Sequence, residues 1–164
     1  MPKKYILDAE TVNIKLERMA YELLENNLEE SKIILAGIQV NGSVIARVME
    51  KILQTISTFN VQLINLTLDK KNPGEVTLSE HAIIDNAVIV IVDDVANSGR
   101  TMLYSLKPFL EFHPKKIQTL ALVARTHKTF PVELDYVGLS VATTLQEHIY
   151  VEVEGEKISG AYMV

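Results

Sequence analysis

The chain has no cysteine and no tryptophan, only four histidines, and fewer basic than acidic side chains. Without thiols there is no disulfide, no thiolate-bound metal and no cysteine nucleophile, which is compatible with a reducing compartment. His81, His113, His127 and His148 show no metal-ligand spacing, and no His-Glu-x-x-His pattern occurs. The formal net charge of −5 argues against broad binding to nucleic acid, whose affinity comes largely from lysine and arginine neutralising phosphates. No apolar run approaches the ~18 residues of a membrane span, and Met1-Pro2-Lys3-Lys4 leads into no signal-peptide core. The expectation is a cytoplasmic protein with no membrane partner. A nucleophile elbow, a Walker loop and a dinucleotide glycine fingerprint are missing too. Chemistry has to rest on carboxylates, hydroxyls, basic groups and backbone.

What is present reads as one domain over residues 1–164, long enough to bury a substantial core. Residues 10–28 carry Val12, Leu16, Met19, Ala20, Leu23, Leu24 and Leu28 at helical spacing. Residues 33–38 form a short apolar strand that ends in Gln39-Val40-Asn41-Gly42-Ser43, and a second amphipathic helix runs from Val44 towards Ser57. A partly alternating strand over 61–68 suits a place near a sheet edge, and the polar stretch 69–75, with Pro73-Gly74, reads as a mobile loop. Residues 117–123 and 136–141 are further strands, and 150–164 suits a hairpin around Gly155. Strands alternating with helices indicate an α/β fold with a mainly parallel sheet flanked by helices.

The centre of this order is residues 87–102. Ala87 to Val92 is a continuous apolar run, as in a strand buried on both faces. It stops at Asp93 and Asp94, passes through Ala96, Asn97, Ser98 and Gly99, and resumes at helical spacing as Met102, Leu103, Leu106, Phe109 and Leu110, with a kink or break expected at Pro108. Ligands of open α/β sheets bind where such turns lie, and unpaired N–H groups opening a helix suit an anion. Taken singly, Asn97 or Ser98 would be no more than a helix cap. Beside two carboxylates, the same turn reads as a phosphate cradle.

The run Val88-Ile89-Val90-Ile91-Val92-Asp93-Asp94-Val95-Ala96-Asn97-Ser98-Gly99-Arg100-Thr101 resembles the phosphoribosyl-pyrophosphate signature of type I phosphoribosyltransferases, with Ser98 in the Thr slot. Leu35-Ala36-Gly37-Ile38-Gln39-Val40-Asn41-Gly42 and Val123-Ala124-Arg125-Thr126-His127 are similar to segments of the pyrimidine-operon regulator/uracil phosphoribosyltransferase family. That resemblance implies a type I phosphoribosyltransferase fold with a small irregular hood built from the terminal segments. It implies phosphoribosyl pyrophosphate and a nucleobase, uracil first, as substrates, Mg²⁺ as cofactor, and a homodimer.

By the same resemblance Asp93 and Asp94 take the ribose hydroxyls and help to hold Mg²⁺. Ala96, Asn97, Ser98, Gly99, Arg100 and Thr101 wrap the 5-phosphate, and Gln39, Val40, Asn41 and Gly42 form the pyrophosphate loop. Asn41 departs from the family, which often has Arg there, a permanently charged contact to the leaving group. Restoring Arg at 41 is therefore expected to raise turnover. Lys70 and Lys71 are candidates to supply the missing charge by closing over the substrate, or are simply solvated. Arg125 and His127 stand on the base or pyrophosphate side, and Ala124 replaces an acid of the family. These departures keep open an alternative, a non-catalytic sensor of phosphoribosyl pyrophosphate or a nucleotide.

Overall fold

The computed structural model describes residues 2–164. In chain order the first elements are β1 (Lys4–Asp8), α1 (Ala9–Glu25), β2 (Lys32–Ile38), α2 (Asn41–Ile56), β3 (Asn60–Thr67) and β4 (Thr77–Leu78). They are followed by β5 (Val88–Ala96), α3 (Arg100–Tyr104), α4 (Lys107–Leu110), β6 (Lys116–Arg125), β7 (Tyr136–Val141), β8 (Ile149–Glu154) and β9 (Lys157–Met163). Six strands form one sheet in the order β4-β3-β2-β5-β6-β7, parallel except for the two-residue β4. β3 thus lies next to an edge, as its partial alternation suggests.

β5 sits between β2 and β6, and its alternation divides the core. Val88, Val90 and Val92 pack with the apolar stripes of α1 and α2, whereas Ile89 and Ile91 pack with Met102 of α3 and Phe109 of α4. These side chains are buried on both faces, which explains the unbroken apolar run.

Two details differ from the sequence reading, and a third agrees with it. β5 does not stop at Asp93 but runs through both acids to Ala96, because β6 continues beside it and offers Ala121, Val123 and Ala124 as partners to Asp93, Val95 and Ala96. α2 begins at Asn41, so Asn41 and Gly42 belong to its first turn rather than to a preceding loop. As expected from Pro108, the helix after the acids is broken into α3 and α4, with Pro108 near the start of α4. Proline has no N–H to give to the carbonyl of Tyr104, and its ring crowds that carbonyl, so the break falls just upstream.

The hood is regular rather than irregular. β1, β9 and β8 form a three-stranded antiparallel sheet in that order, with Leu7 opposite Ala161 and Val151 opposite Ala161 on the other side. Its apolar face, including Leu7, Ile149, Val151, Ile158 and Met163, joins the core on the α1 and α2 side of the main sheet, and β8 touches β5. Among the described residues no helix is long and apolar enough to cross a membrane.

Candidate functional site

Alternation along β5 turns the two acids to opposite sides. Asp93 is buried and lines a cavity on the side of α3. Asp94 faces α2, where its Oδ2 accepts a hydrogen bond from Asn41 Nδ2 at 3.0 Å. The backbone fixes the other oxygens: Asp93 Oδ1 accepts from the Asp94 N–H at 2.9 Å, and Asp94 Oδ1 accepts from the Val95 N–H at 2.8 Å.

Lys70, just after β3, reaches across both acids. Its Nζ lies 3.1 Å from Asp93 Oδ1 and 3.5 Å from Asp94 Oδ1. The ammonium therefore stands beside both carboxylates while the lysine stays partly exposed. Burial pushes the Asp93 carboxyl up to about 7, helped by the neighbouring Asp94 charge and only partly opposed by Lys70. Burial also works against Asp94, yet the Lys70 ammonium and donors from Asn41 and Val95 hold it below the ordinary carboxylate range. Burial opposes the Lys70 charge as well, but the two acids outweigh it and raise its pKa. The pair thus holds one readily ionised acid and one that keeps its proton near neutrality, and strongly shifted acids of this kind cluster at functional sites.

The cavity, of about 390 Å³, is lined by Lys70, Lys71, Asp93 and residues 95–102. Its wall is the turn Ala96 to Thr101. Gly99 takes φ +88°, a left-handed conformation that opens α3 without a side-chain cap. The Ser98 hydroxyl accepts from the Arg100 N–H at 3.3 Å. The Ser98 carbonyl accepts from the N–H groups of Thr129 and Phe130, at 3.0 and 3.1 Å. The turn is therefore pinned from behind by segment 129–130, a support invisible in the local sequence. A second hollow of about 480 Å³, lined by residues 76–82 with Pro108 and Phe112 among others, has neither the paired acids nor the small-residue turn. Chemistry, not size, selects the first.

Residues 39–42, joining the end of β2 to the first turn of α2, lie on the other side of the acids. Gln39 is tied to β3, its N–H donating to Leu66 O at 2.9 Å and its Oε1 accepting from Thr67 Oγ1 at 3.2 Å. Val40 is exposed. Gly42 approaches β5 so closely that a Cβ there would lie 2.5 Å from Val92 O. α2 has no side-chain cap and no acid in its first turn, which leaves its opening N–H groups suited to an anion.

The structure thus brings Lys70, Lys71, Asp93 and the turn 96–101 into one cavity, with Asp94 and the loop 39–42 adjoining it. It does not place Arg125 or His127 in that cavity. Arg125 donates to Thr144 O at 2.7 Å and so anchors the segment before β8, while His127 is exposed. Lys71 lines the cavity, and its backbone N–H donates to Asp69 Oδ1 at 2.9 Å. Buried acids with a partly exposed lysine across them, facing a turn of N–H groups and hydroxyls, can receive a phosphorylated sugar: hydroxyls on the carboxylates, phosphate in the turn.

Residues 3–154 match the family model described as the phosphoribosyl transferase domain. The chain is 33% identical over 163 residues to the bifunctional protein PyrR of Enterococcus faecalis, covering 94% of this chain and 92% of that one. It is 28% identical over 162 residues to that of Haemophilus ducreyi, with coverages of 93% and 90%. Among solved structures, the hypoxanthine phosphoribosyltransferase of Trypanosoma cruzi superposes with a TM-score of 0.79 at 13% identity, covering 96% and 95% of the two chains. A hypoxanthine-guanine phosphoribosyltransferase from Bacillus anthracis gives 0.79 at 16% identity, covering 100% and 99%.

Proposed function

The chain belongs to the phosphoribosyl transferase domain family, and from that premise we propose that it binds phosphoribosyl pyrophosphate with Mg²⁺ and transfers ribose 5-phosphate to a nucleobase. The observation that carries this is the single cavity in which Asp93, the turn 96–101 and the lysines of the 69–75 loop meet. In this reading Ala96 to Thr101 hold the 5-phosphate, Asp93 and Asp94 accept the ribose hydroxyls, and the loop Gln39 to Gly42 meets the pyrophosphate. Uracil is the first acceptor, following the likeness to the pyrimidine-operon regulators, and the working unit is a homodimer.

The acids suit Mg²⁺. Two hard carboxylates already attract a cation, Lys70, and among the described residues no three His, Asp or Glu side chains converge. Asp93 and Asp94 would therefore share the ion with substrate oxygens and water, the usual way in which Mg²⁺ is held. When bound, it supplies positive charge against the pyrophosphate as that group departs. The protein's own part is orientation: the turn fixes one end of the sugar, the acids fix its face, and Lys70 is displaced into a position from which it can neutralise the leaving group.

A second reading, a sensor without turnover, is favoured by Asn41, whose amide is already engaged by Asp94 and which brings no guanidinium to the loop. Titrating phosphoribosyl pyrophosphate with and without Mg²⁺, then adding uracil, hypoxanthine and guanine while following pyrophosphate release, separates the two. The transferase reading expects Mg²⁺-dependent binding and release with one base. Binding without release from any base would leave the sensor, and absence of binding would sink both.

The protonation of Asp93 adds a pH signature. A carboxyl that keeps its proton up to about 7 accepts poorly from a hydroxyl and attracts a cation only weakly, so its contribution to binding appears as pH rises through that value and is lost as pH falls. The ligand's own phosphates titrate nearby, so the quantity to measure is the affinity ratio of parent to Asp93→Asn in the same buffers. The ratio should be largest at pH 8 and should shrink towards unity below pH 6. A ratio independent of pH would place the ionised Asp93 outside the binding step.

A further inference from the structure

We propose that Asn41 is a positioning residue that fastens Asp94 to the hood, making strand β8 a support of the ribose site. The inference rests on the ribose-phosphate reading of the cavity and goes beyond it, since the pyrophosphate loop is otherwise assigned its backbone alone.

An asparagine amide has two N–H donors, and both are used. One goes to Asp94 Oδ2 at 3.0 Å, the other to the Val151 carbonyl at 3.2 Å. These partners lie in different sheets: Asp94 is on β5 of the main sheet, and Val151 is on β8, an edge strand of the hood. Asp94 Oδ1 already accepts from the Val95 N–H, so the Asn41 bond immobilises the carboxylate's second oxygen. The Val151 side chain packs into the core shared by hood and helices, so the strut ends on a rigid point. Asp94 is thereby held on the α2 side, with Lys70 approaching from the cavity side.

An arginine at this position could not keep both short bonds. Its longer side chain would pair with Asp94 or turn outward, and either arrangement releases Val151 O. The strut therefore predicts that Asn41→Arg weakens the ribose site, contrary to the gain in turnover that the family pattern suggests.

The test uses the full chain with Asn41→Ala, the isosteric Asn41→Asp, Asn41→Arg, and Asn41→Ala combined with Asp94→Asn. Hydrogen exchange of the ligand-free protein should speed up in residues 149–153 for Asn41→Ala and Asn41→Asp, with the remaining strands unchanged. Affinity for Mg²⁺ and phosphoribosyl pyrophosphate should fall about tenfold in Asn41→Ala, the size expected when one hydrogen bond to a charged group is lost, and further in Asn41→Asp, whose carboxylate also repels Asp94. KM for that substrate should rise more than kcat falls. In the Asp94→Asn background the alanine change should add less than a further twofold. Asn41→Asp binding like the parent, or fully additive effects in the double variant, would overturn the link to Asp94. Unchanged exchange in β8 would overturn the strut itself. That measurement needs no ligand, so it judges the strut even if the parent fails to bind phosphoribosyl pyrophosphate, a failure that would instead overturn the ribose-site reading.

Discussion

Replacing Asp93 and Asp94 together by asparagine is expected to weaken binding of Mg²⁺ and phosphoribosyl pyrophosphate by about 10²–10⁴-fold, because each carboxylate that accepts hydrogen bonds contributes about 1.5–3 kcal/mol. The fold should survive. Asparagine is close to isosteric with aspartate, both positions keep their places in the β5 ladder, and neither side chain is part of the apolar core. Calorimetric titration measures the loss, and circular dichroism with a melting curve checks the fold. Binding equal to the parent's would mean that the ribose contacts are misassigned.

The single change Asp93→Asn carries a second expectation. Asp93 is buried with a pKa raised to about 7, so between the ordinary carboxylate range and that value the native state holds a proton that the unfolded chain has released. Stability contributed by this group is full below the unfolded pKa and is lost as pH rises towards 7. Asparagine removes that loss. The variant should therefore melt above the parent at pH 8, and the gap should close as pH falls towards 4. Such a cost, where an amide side chain would serve the fold better, is what the proposed binding role of Asp93 would account for.

Much of this site was legible because its parts are local. The six apolar residues before Asp93, the paired acids and the Ser98-Gly99 turn lie within one strand-turn-helix unit, and the ordering of such a unit follows from alternation and turn chemistry alone. Lys70 was half legible: a lysine in a loop after an edge-side strand is a plausible visitor, but only the parallel pairing of β3, β2 and β5 brings that loop over the acids. The contacts of Arg125 and Asn41 with the hood were not legible in the sequence. Their partners, Thr144 O and Val151 O, are backbone carbonyls of the hood, and a carbonyl carries no side-chain identity by which a sequence could announce it. β1 was missed for a related reason, since a five-residue strand has meaning only beside β9 at the far end of the chain. The length of β5 was misjudged because aspartate disfavours strands in isolation, whereas a long neighbour, β6, imposed the ladder.

Gly42→Ala is the change with the second largest expected effect, and it acts through space rather than charge. A Cβ at 42 would lie 2.5 Å from Val92 O and 3.1 Å from the Asp93 Cα. Both are backbone atoms of the central, fully paired strand, so neither can swing aside as a side-chain end would. The first turn of α2 must move instead, away from β5. Overpacking of this kind costs about 1–3 kcal/mol, and in a chain of this size each kcal/mol lowers the melting temperature by roughly 2–4 °C. The displaced turn carries Asn41, whose two hydrogen bonds to Asp94 and Val151 cannot both follow it. Affinity for phosphoribosyl pyrophosphate should consequently fall at least as far as in Asn41→Ala, together with the loss in melting temperature. Gly74→Ala is the control for the steric effect, since a Cβ there meets nothing within 4 Å, and it should leave the melting temperature unchanged. A Gly42→Ala variant that melted and bound like the parent would show that β5 and α2 do not approach one another closely, and the strut between loop, acid and hood would lose its footing with them.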